Sequence, residues 1–296
     1  MDLFILAGQS NMQGYAGNAL KYPIGNTHED LSIKFYYVEP LLSEHKLIRV
    51  AADNTINIGA PGSYSWLKNE LSRSWGDFRR RFNHKINTPP PAVQRRTWTF
   101  LGPQSGRFPN GHFGPEISFA RKLLESGFNP AIFKYSKEST SLAEDWQGPN
   151  QNGIYDDFVY SLNNAITDLK NQGYNINIRG LIWLQGENDA LTDDAARLYL
   201  SRLKIIIADL REKILPLNTP IILGADELHP HMLTHPQVKA AQESMAATDS
   251  CIIRSSMEGL EKADFTHLTP QAITEHGLRL FTSYLKLALI CQNQNP

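Results

Sequence analysis

The chain has 296 residues, 41% hydrophobic and 20% charged, with a formal net charge of −1. A chain of this size and balance buries a substantial core, and its near-zero charge argues against a nucleic-acid partner. Its two cysteines, Cys251 and Cys291, make no disulfide framework and are expected to be packed, reduced thiols.

Residues 2–7 (DLFILA) form an apolar run that ends at Gly8 and reads as a buried strand. A helical turn is expected after Ser10, and residues 32–38 (SIKFYYV) read as a second strand. Residues 40–113 lack periodicity; they carry FRRRF and the triple proline of TPPPAV, and read as a long loop insertion. The basic FRRRF stretch reads as a solvated loop face, with a contribution to a substrate rim as second choice. Regular alternation begins near Gly114. The segment GPEISFARKLLESG places Ile117, Ala120, Leu123 and Leu124 on one helical stripe, with Gly127 as its C-cap. Strands follow at 130–136, 178–185, 220–226 and 250–256; helices follow at 155–171, 193–214 and 235–248. The last helix opens with Thr269 as N-cap and Pro270 in its first turn. This alternation predicts an α/β fold with a mostly parallel sheet covered on both faces. One domain spanning 1–296, with an insertion at about 40–113, accounts for the pattern. No membrane-spanning stretch or secretory leader is seen, so no membrane partner is expected. The location is either cytoplasmic or that of a secreted protein whose leader has been removed.

Ligand sites of open α/β sheets gather beyond the carboxyl ends of the strands. Four polar segments are expected there: GQSN, QGEND, ADELH and DFTH. Ser10 follows a buried strand and opens a helix, where backbone N–H groups can receive charge developing on a carbonyl oxygen. An ordinary helix N-cap explains Ser10 taken alone equally well. A nucleophilic serine needs a base, and the base needs an acid to set its tautomer. His267 and Asp264, three positions apart in KADFTHLTP, supply that pair. Gln185 offers an amide and Gly114 a backbone N–H for the oxyanion, together with the N–H of Ser10. Gln9, Asn11 and Glu187 are expected to support the site or bind substrate. Trp146 is expected as a pocket wall, with Tyr15 and Trp66 as further stacking candidates and Trp183 as a sheet residue. His28, His112, His229, His231 and His235 are competing bases expected on loops or the surface. A glycosidase-like pairing of Glu187 with Asp226 or Glu227 would leave the serine and histidine idle. No Cys–His cluster has zinc-site spacing, and neither a metal nor another cofactor is expected.

The segments FILAGQSNMQG, HFGPE, IWLQGENDA and DFTHLTPQA resemble, in that order, the blocks of the SGNH/GDSL hydrolase superfamily. The closer resemblance is to family-six acetylxylan esterases and the sialate O-acetylesterase-like domain. It implies a three-layer α/β/α, flavodoxin-like sandwich and a serine esterase that needs no cofactor. Ser10 would be the nucleophile, Asp264 and His267 the acid and base, and Gly114 and Gln185 oxyanion donors. The implied substrate is an O-acetylated sugar or polysaccharide, with no obligate protein partner. Rival readings are a lipase or thioesterase acting on longer acyl chains, and a non-catalytic carbohydrate-binding protein. One departure stands out: the branch's Gly-Gly-Thr segment is replaced within SKESTSL (136–142).

Overall fold

The computed structural model describes residues 1–23, 27–40 and 96–292. These belong to one compact unit made of Met1–Pro40 and Arg96–Pro296. Residues 41–95, which include FRRRF, TPPP and Trp66, lie outside the described residues. In chain order the elements are β1 (Asp2–Gly8), α1 (Ser10–Gln13), α2 (Thr27–Asp30), β2 (Lys34–Val38) and β3 (Thr99–Phe100). They continue with α3 (Glu116–Glu125), β4 (Pro130–Ser136), α4 (Ile154–Asn171), β5 (Asn177–Leu184) and α5 (Asp193–Lys213). The last are β6 (Ile221–Gly224), α6 (Pro230–Thr234), α7 (Gln237–Thr248), β7 (Ile252–Arg254) and α8 (Pro270–Gln292).

The seven strands lie in the order β3-β2-β4-β1-β5-β6-β7. All pairs are parallel except β2 with β3. β1 sits mid-sheet, which is why its run is apolar without alternation: successive side chains enter two different cores. Leu3, Ile5 and Ala7 pack in the layer with α4, α5 and α7, around Trp146, Trp183 and Tyr199. Phe4 and Leu6 pack in the opposite layer with α3 and α8. There Phe4 meets Tyr284, Phe119 and Phe128 edge-on, with ring centroids 5.0, 5.6 and 5.9 Å apart. The expected three-layer α/β/α sandwich is present.

Gly8 is in register with both Ser136 and Leu184, so β1, β4 and β5 end level with one another. Whatever follows Gly8 therefore emerges at the centre of the sheet's carboxyl edge. Part of the stretch expected as irregular is ordered by pairing. β3 adds an antiparallel edge strand to β2, and Gln104 and His112 exchange backbone hydrogen bonds.

The two cysteines depart from expectation. Cys251 and Cys291 are disulfide-bonded, with Cα atoms 5.4 Å apart. The bond ties the start of β7 to the end of α8, two segments whose proximity no local pattern reveals. Closing a loop across this separation is worth about 4 kcal/mol in the chain-entropy account. The expected outcome is that iodoacetamide labels no thiol in the denatured, unreduced protein and that reductant lowers the urea midpoint. Two reactive thiols without reduction would contradict the bond.

Candidate active site

The turn that carries Ser10 is built from glycine and backbone. Gln9 N–H reaches across to Leu184 O at 2.9 Å, so the chain leaves β1 still joined to β5. It then makes one turn of helix, with Gln13 N–H donating to Gln9 O and Gly14 N–H to Ser10 O. Gly14 closes the turn at φ 86°, in the left-handed region, and a Cβ there would collide with Phe113 O. Gly114 makes a similar approach from the other side, with Met12 O where a Cβ would stand. Ser10 is the first residue of the turn and is 5% exposed. Its N–H has no carbonyl four residues back within the helix to bond. Its hydroxyl makes no hydrogen bond to any described residue, His267 included. Catalytic hydrogen bonds often form only in the substrate complex.

Asp264 and His267, expected as acid and base, lie in direct contact. His267 Nδ1 lies 2.7 Å from Asp264 Oδ2. Asp264 Oδ1 accepts the N–H groups of Thr266 and His267, each at 2.8 Å, and this curls the loop back on itself. Burial raises the Asp264 pKa, but these hydrogen bonds outweigh it and hold the carboxyl at about 2. Nδ1 is thus engaged, and Nε2 is the ring nitrogen left for a proton transfer. Tyr15 stacks on the imidazole, with centroids 4.0 Å apart.

Asn11 joins the two ends of the chain. Its Nδ2 donates to Thr266 O at 3.1 Å, and its Oδ1 accepts from Leu268 N–H at 3.2 Å. One amide therefore bonds the residues on both sides of His267 from the position next to Ser10.

Two expected oxyanion donors have other work. Gln185 is fully buried, and its Nε2 donates to Asp189 Oδ2 at 2.6 Å and Thr140 O at 3.1 Å. Both amide hydrogens are engaged, and the side chain is a strut under the loop after β5. Gly114 N–H donates to Glu116 Oε1 at 2.8 Å. Trp146 is also corrected: it is fully buried, its Nε1 donates to Thr140 Oγ1, and its ring lies 4.5 Å from that of Trp183. It packs the core because its short helical turn, Leu142–Trp146, faces inward. Gln9 Oε1 accepts Gly186 N–H at 3.3 Å, a supporting contact. Glu187 Oε1 accepts Asp226 N–H at 2.7 Å, while its Oε2 is buried without a partner among the described residues.

The carboxylates of the glycosidase-like alternative lie near one another, but Asp226 and Glu227 are each committed to a cation. Asp226 pairs with Lys262 at 2.6 Å and Glu227 with Arg254 at 3.2 Å. Of the competing bases, His112 and His229 are buried rather than on the surface, and His235 pairs with Asp193. Among the described residues no group of three His, Cys, Asp or Glu is arranged to hold a metal ion, and no helix is long and apolar enough to cross a membrane.

Lys134 was not among the expected site residues. It is fully buried, 2.6 Å from Glu116 Oε2, and also donates to Gln104 Oε1 and Gln13 O. Burial pushes its pKa down, and the Glu116 carboxylate opposes that. A lysine inside the apolar PAIFKYS was the available signal, since a buried lysine needs a partner. Asp189, inside QGEND, was likewise missed. It accepts the N–H groups of Leu142 and Ala143 as well as Gln185, and burial still raises its pKa to about 7.

Two outcomes test this geometry. Asn11→Ala removes both bonds to the 266–268 backbone and is expected to lower kcat about 10²-fold with a smaller change in KM; unchanged kcat would show the loop is held elsewhere. Burial raises the Glu187 pKa from 4.5 to about 7. Stability from the protonated form is therefore full below pH about 4.5 and lost as pH rises through about 7, on the order of 3 kcal/mol in all. Urea midpoints from pH 4 to 8 are expected to fall more steeply for the wild type than for Glu187→Gln; parallel curves would refute the shift.

A model of the family described as carbohydrate esterase, sialic acid-specific acetylesterase, matches residues 93–286. The match takes in Gly114, Gln185, Asp264 and His267 and begins after Ser10. Among solved structures, a protein of Arabidopsis thaliana aligns with a TM-score of 0.62 and 18% identity, over 96% of this chain and 98% of that one. NanS aligns at 0.57 and 16%, over 96% of each chain. A carbohydrate acetylesterase of Xanthomonas citri aligns at 0.54 and 16%, over 97% of this chain and 56% of the other. At such identities the likeness bears on the fold. No curated protein sequence matches the chain.

Proposed function

Since the chain belongs to the carbohydrate esterase family of the sialic acid-specific acetylesterase type, we propose that it removes O-acetyl groups from a carbohydrate through an acyl-enzyme on Ser10. The observation that carries this reading is the Asp264–His267 pair, clamped by Asn11 to the position beside Ser10. We take the chain as one esterase domain carrying a long insertion.

His267 Nε2 accepts the Ser10 hydroxyl proton as Oγ attacks the acetyl carbonyl carbon. The tetrahedral oxyanion forms at the start of α1, where the Ser10 N–H has no helical acceptor. Loss of one such donor costs about 3 kcal/mol of transition-state stabilisation. With their hydrogens bonded within the protein, Gln185 and Gly114 act in this reading by shaping the floor of the site. His267 then protonates the sugar oxygen as the C–O bond breaks. A water, deprotonated by the same nitrogen, attacks the acyl-enzyme and releases acetate and Ser10.

Between O-acetyl sialic acid and acetylated xylan, the family description favours the former. A cation near the base supports it. The Arg107 guanidinium lies over the Tyr15 ring that stacks on His267, and Asp264 lies within its electrostatic reach. That charge suits a sugar bearing a carboxylate.

The test is a hydrolysis panel of 4-nitrophenyl acetate, longer-chain 4-nitrophenyl esters, acetylated xylan and O-acetyl sialic acids, with Ser10→Ala alongside. Wild-type turnover is expected on acetyl esters, and Ser10→Ala is expected to lose at least about a thousandfold in kcat. Full activity in Ser10→Ala ends the serine mechanism. Turnover confined to long acyl chains ends the acetylesterase reading.

A further inference from the structure

His229 is a buried histidine that the acyl-enzyme scheme does not use. It caps α6, and its Nδ1 accepts the His231 N–H at 3.2 Å. An imidazole that accepts through Nδ1 carries its proton on Nε2. No described residue accepts from that N–H. The side chain is 6% exposed, and burial, with the charges of His231, Lys262 and His267, keeps it neutral with a pKa of about 3. It is thus a fixed, uncharged donor within electrostatic reach of the catalytic base. The rest of the ring is buried, but Nε2 is not among the buried atoms that lack a partner, so this N–H is open to solvent and to a ligand.

Phe265 lies against it, with ring centroids 5.6 Å apart. It is 61% exposed, although it sits in the curled Asp264–His267 loop, two residues before the base. Single exposed aromatics are ordinary on protein surfaces. This one adjoins both the open N–H of His229 and the loop that carries the proposed base. Its neighbour Thr266 is held through its carbonyl by Asn11, so the ring projects from a backbone anchored on the nucleophile turn. An apolar face beside a neutral N–H donor matches one class of ligand: a pyranose, whose C–H face is apolar and whose rim carries hydroxyl acceptors.

We infer that Phe265 and His229 form the subsite for the sugar ring that leaves with the deacetylated hydroxyl. The ring's apolar face lies on Phe265, and a hydroxyl or ring oxygen accepts from His229 Nε2–H. This inference rests on the acetylesterase reading above and adds to it the residues that recognise the alcohol half of the ester.

The experiment compares two acetyl esters that share the acyl group and differ in the alcohol: a mono-O-acetylated methyl pyranoside and 4-nitrophenyl acetate. The variants are His229→Phe, which removes the donor but keeps a ring, and Phe265→Ala, which removes the exposed face. The readout is the ratio of kcat/KM for the pyranoside to that for 4-nitrophenyl acetate. Each variant is expected to lower this ratio about tenfold, through KM for the pyranoside. A ratio unchanged from wild type in both variants overturns the subsite, because both substrates then feel only a general change. If His229→Phe does not fold, Phe265→Ala, altered at an exposed side chain, decides alone. Ser10→Ala is run alongside: retained activity there removes the acetylesterase reading itself, whereas an inactive Ser10→Ala with unchanged ratios removes only the subsite.

Discussion

The site depends on one amide. Ser10 and His267 lie near opposite ends of the chain, and the Asn11 side chain bonds the backbone on both sides of His267. Two such hydrogen bonds contribute only about 1 kcal/mol each to stability. Their larger effect is geometric, because the proposed proton transfer would need serine and histidine placed to within fractions of an ångström. The sheet supplies the coarse placement: β1, β4 and β5 end level, and the nucleophile turn leaves from the middle of that edge. Asn11 supplies the fine placement, anchored on the turn that it must align.

Beneath that turn lies a polar network sealed from water. Lys134 and Glu116 are both fully buried, and each is bonded to the pieces that meet under Ser10. Lys134 holds Gln13 O at the end of α1, while Glu116 holds Gly114 N–H and Gln104 Nε2. A buried ion pair is a weak source of stability, since desolvating both charges offsets most of their attraction. Its value here is that every member has partners and one arrangement satisfies them. That arrangement fixes the Phe113–Gly114 backbone against Gly14, where no side chain fits. It also engages the very hydrogen that the HFGPE motif suggested for the oxyanion.

The sheet was legible because its central strands are short apolar runs, several of them stopped at or near glycine or proline, and the Asp264–His267 contact because their spacing lets the loop curl. Which hydrogen a donor gives, and to whom, is a tertiary matter. Gln185 stands at the expected strand end, but Asp189 four residues on and Thr140 from another loop take both its hydrogens. Trp146 stands in a polar segment, AEDWQGPN, which reads as surface; a tight helical turn rotates it into the core against Trp183. In SKESTSL, Ser139 takes φ 56°, a left-handed conformation that glycine adopts without strain and that here carries a side chain. The Cys251–Cys291 bond joins a strand start to a helix end, a pairing that only the packed layers bring about.

Carboxylates of like chemistry are held in opposite states around the site. Asp264 accepts two backbone N–H groups and faces His267, and its pKa sits at about 2. Burial raises Glu187 and Asp189 to about 7. The contrast follows from position. Asp264 is half-exposed at the edge, where water and the imidazole both favour its charge, as the acid of the proposed serine mechanism requires. The other two lie buried in the segment after β5, where desolvation disfavours their charge. At and below neutral pH a substantial share of each is therefore protonated, while Asp264 stays anionic.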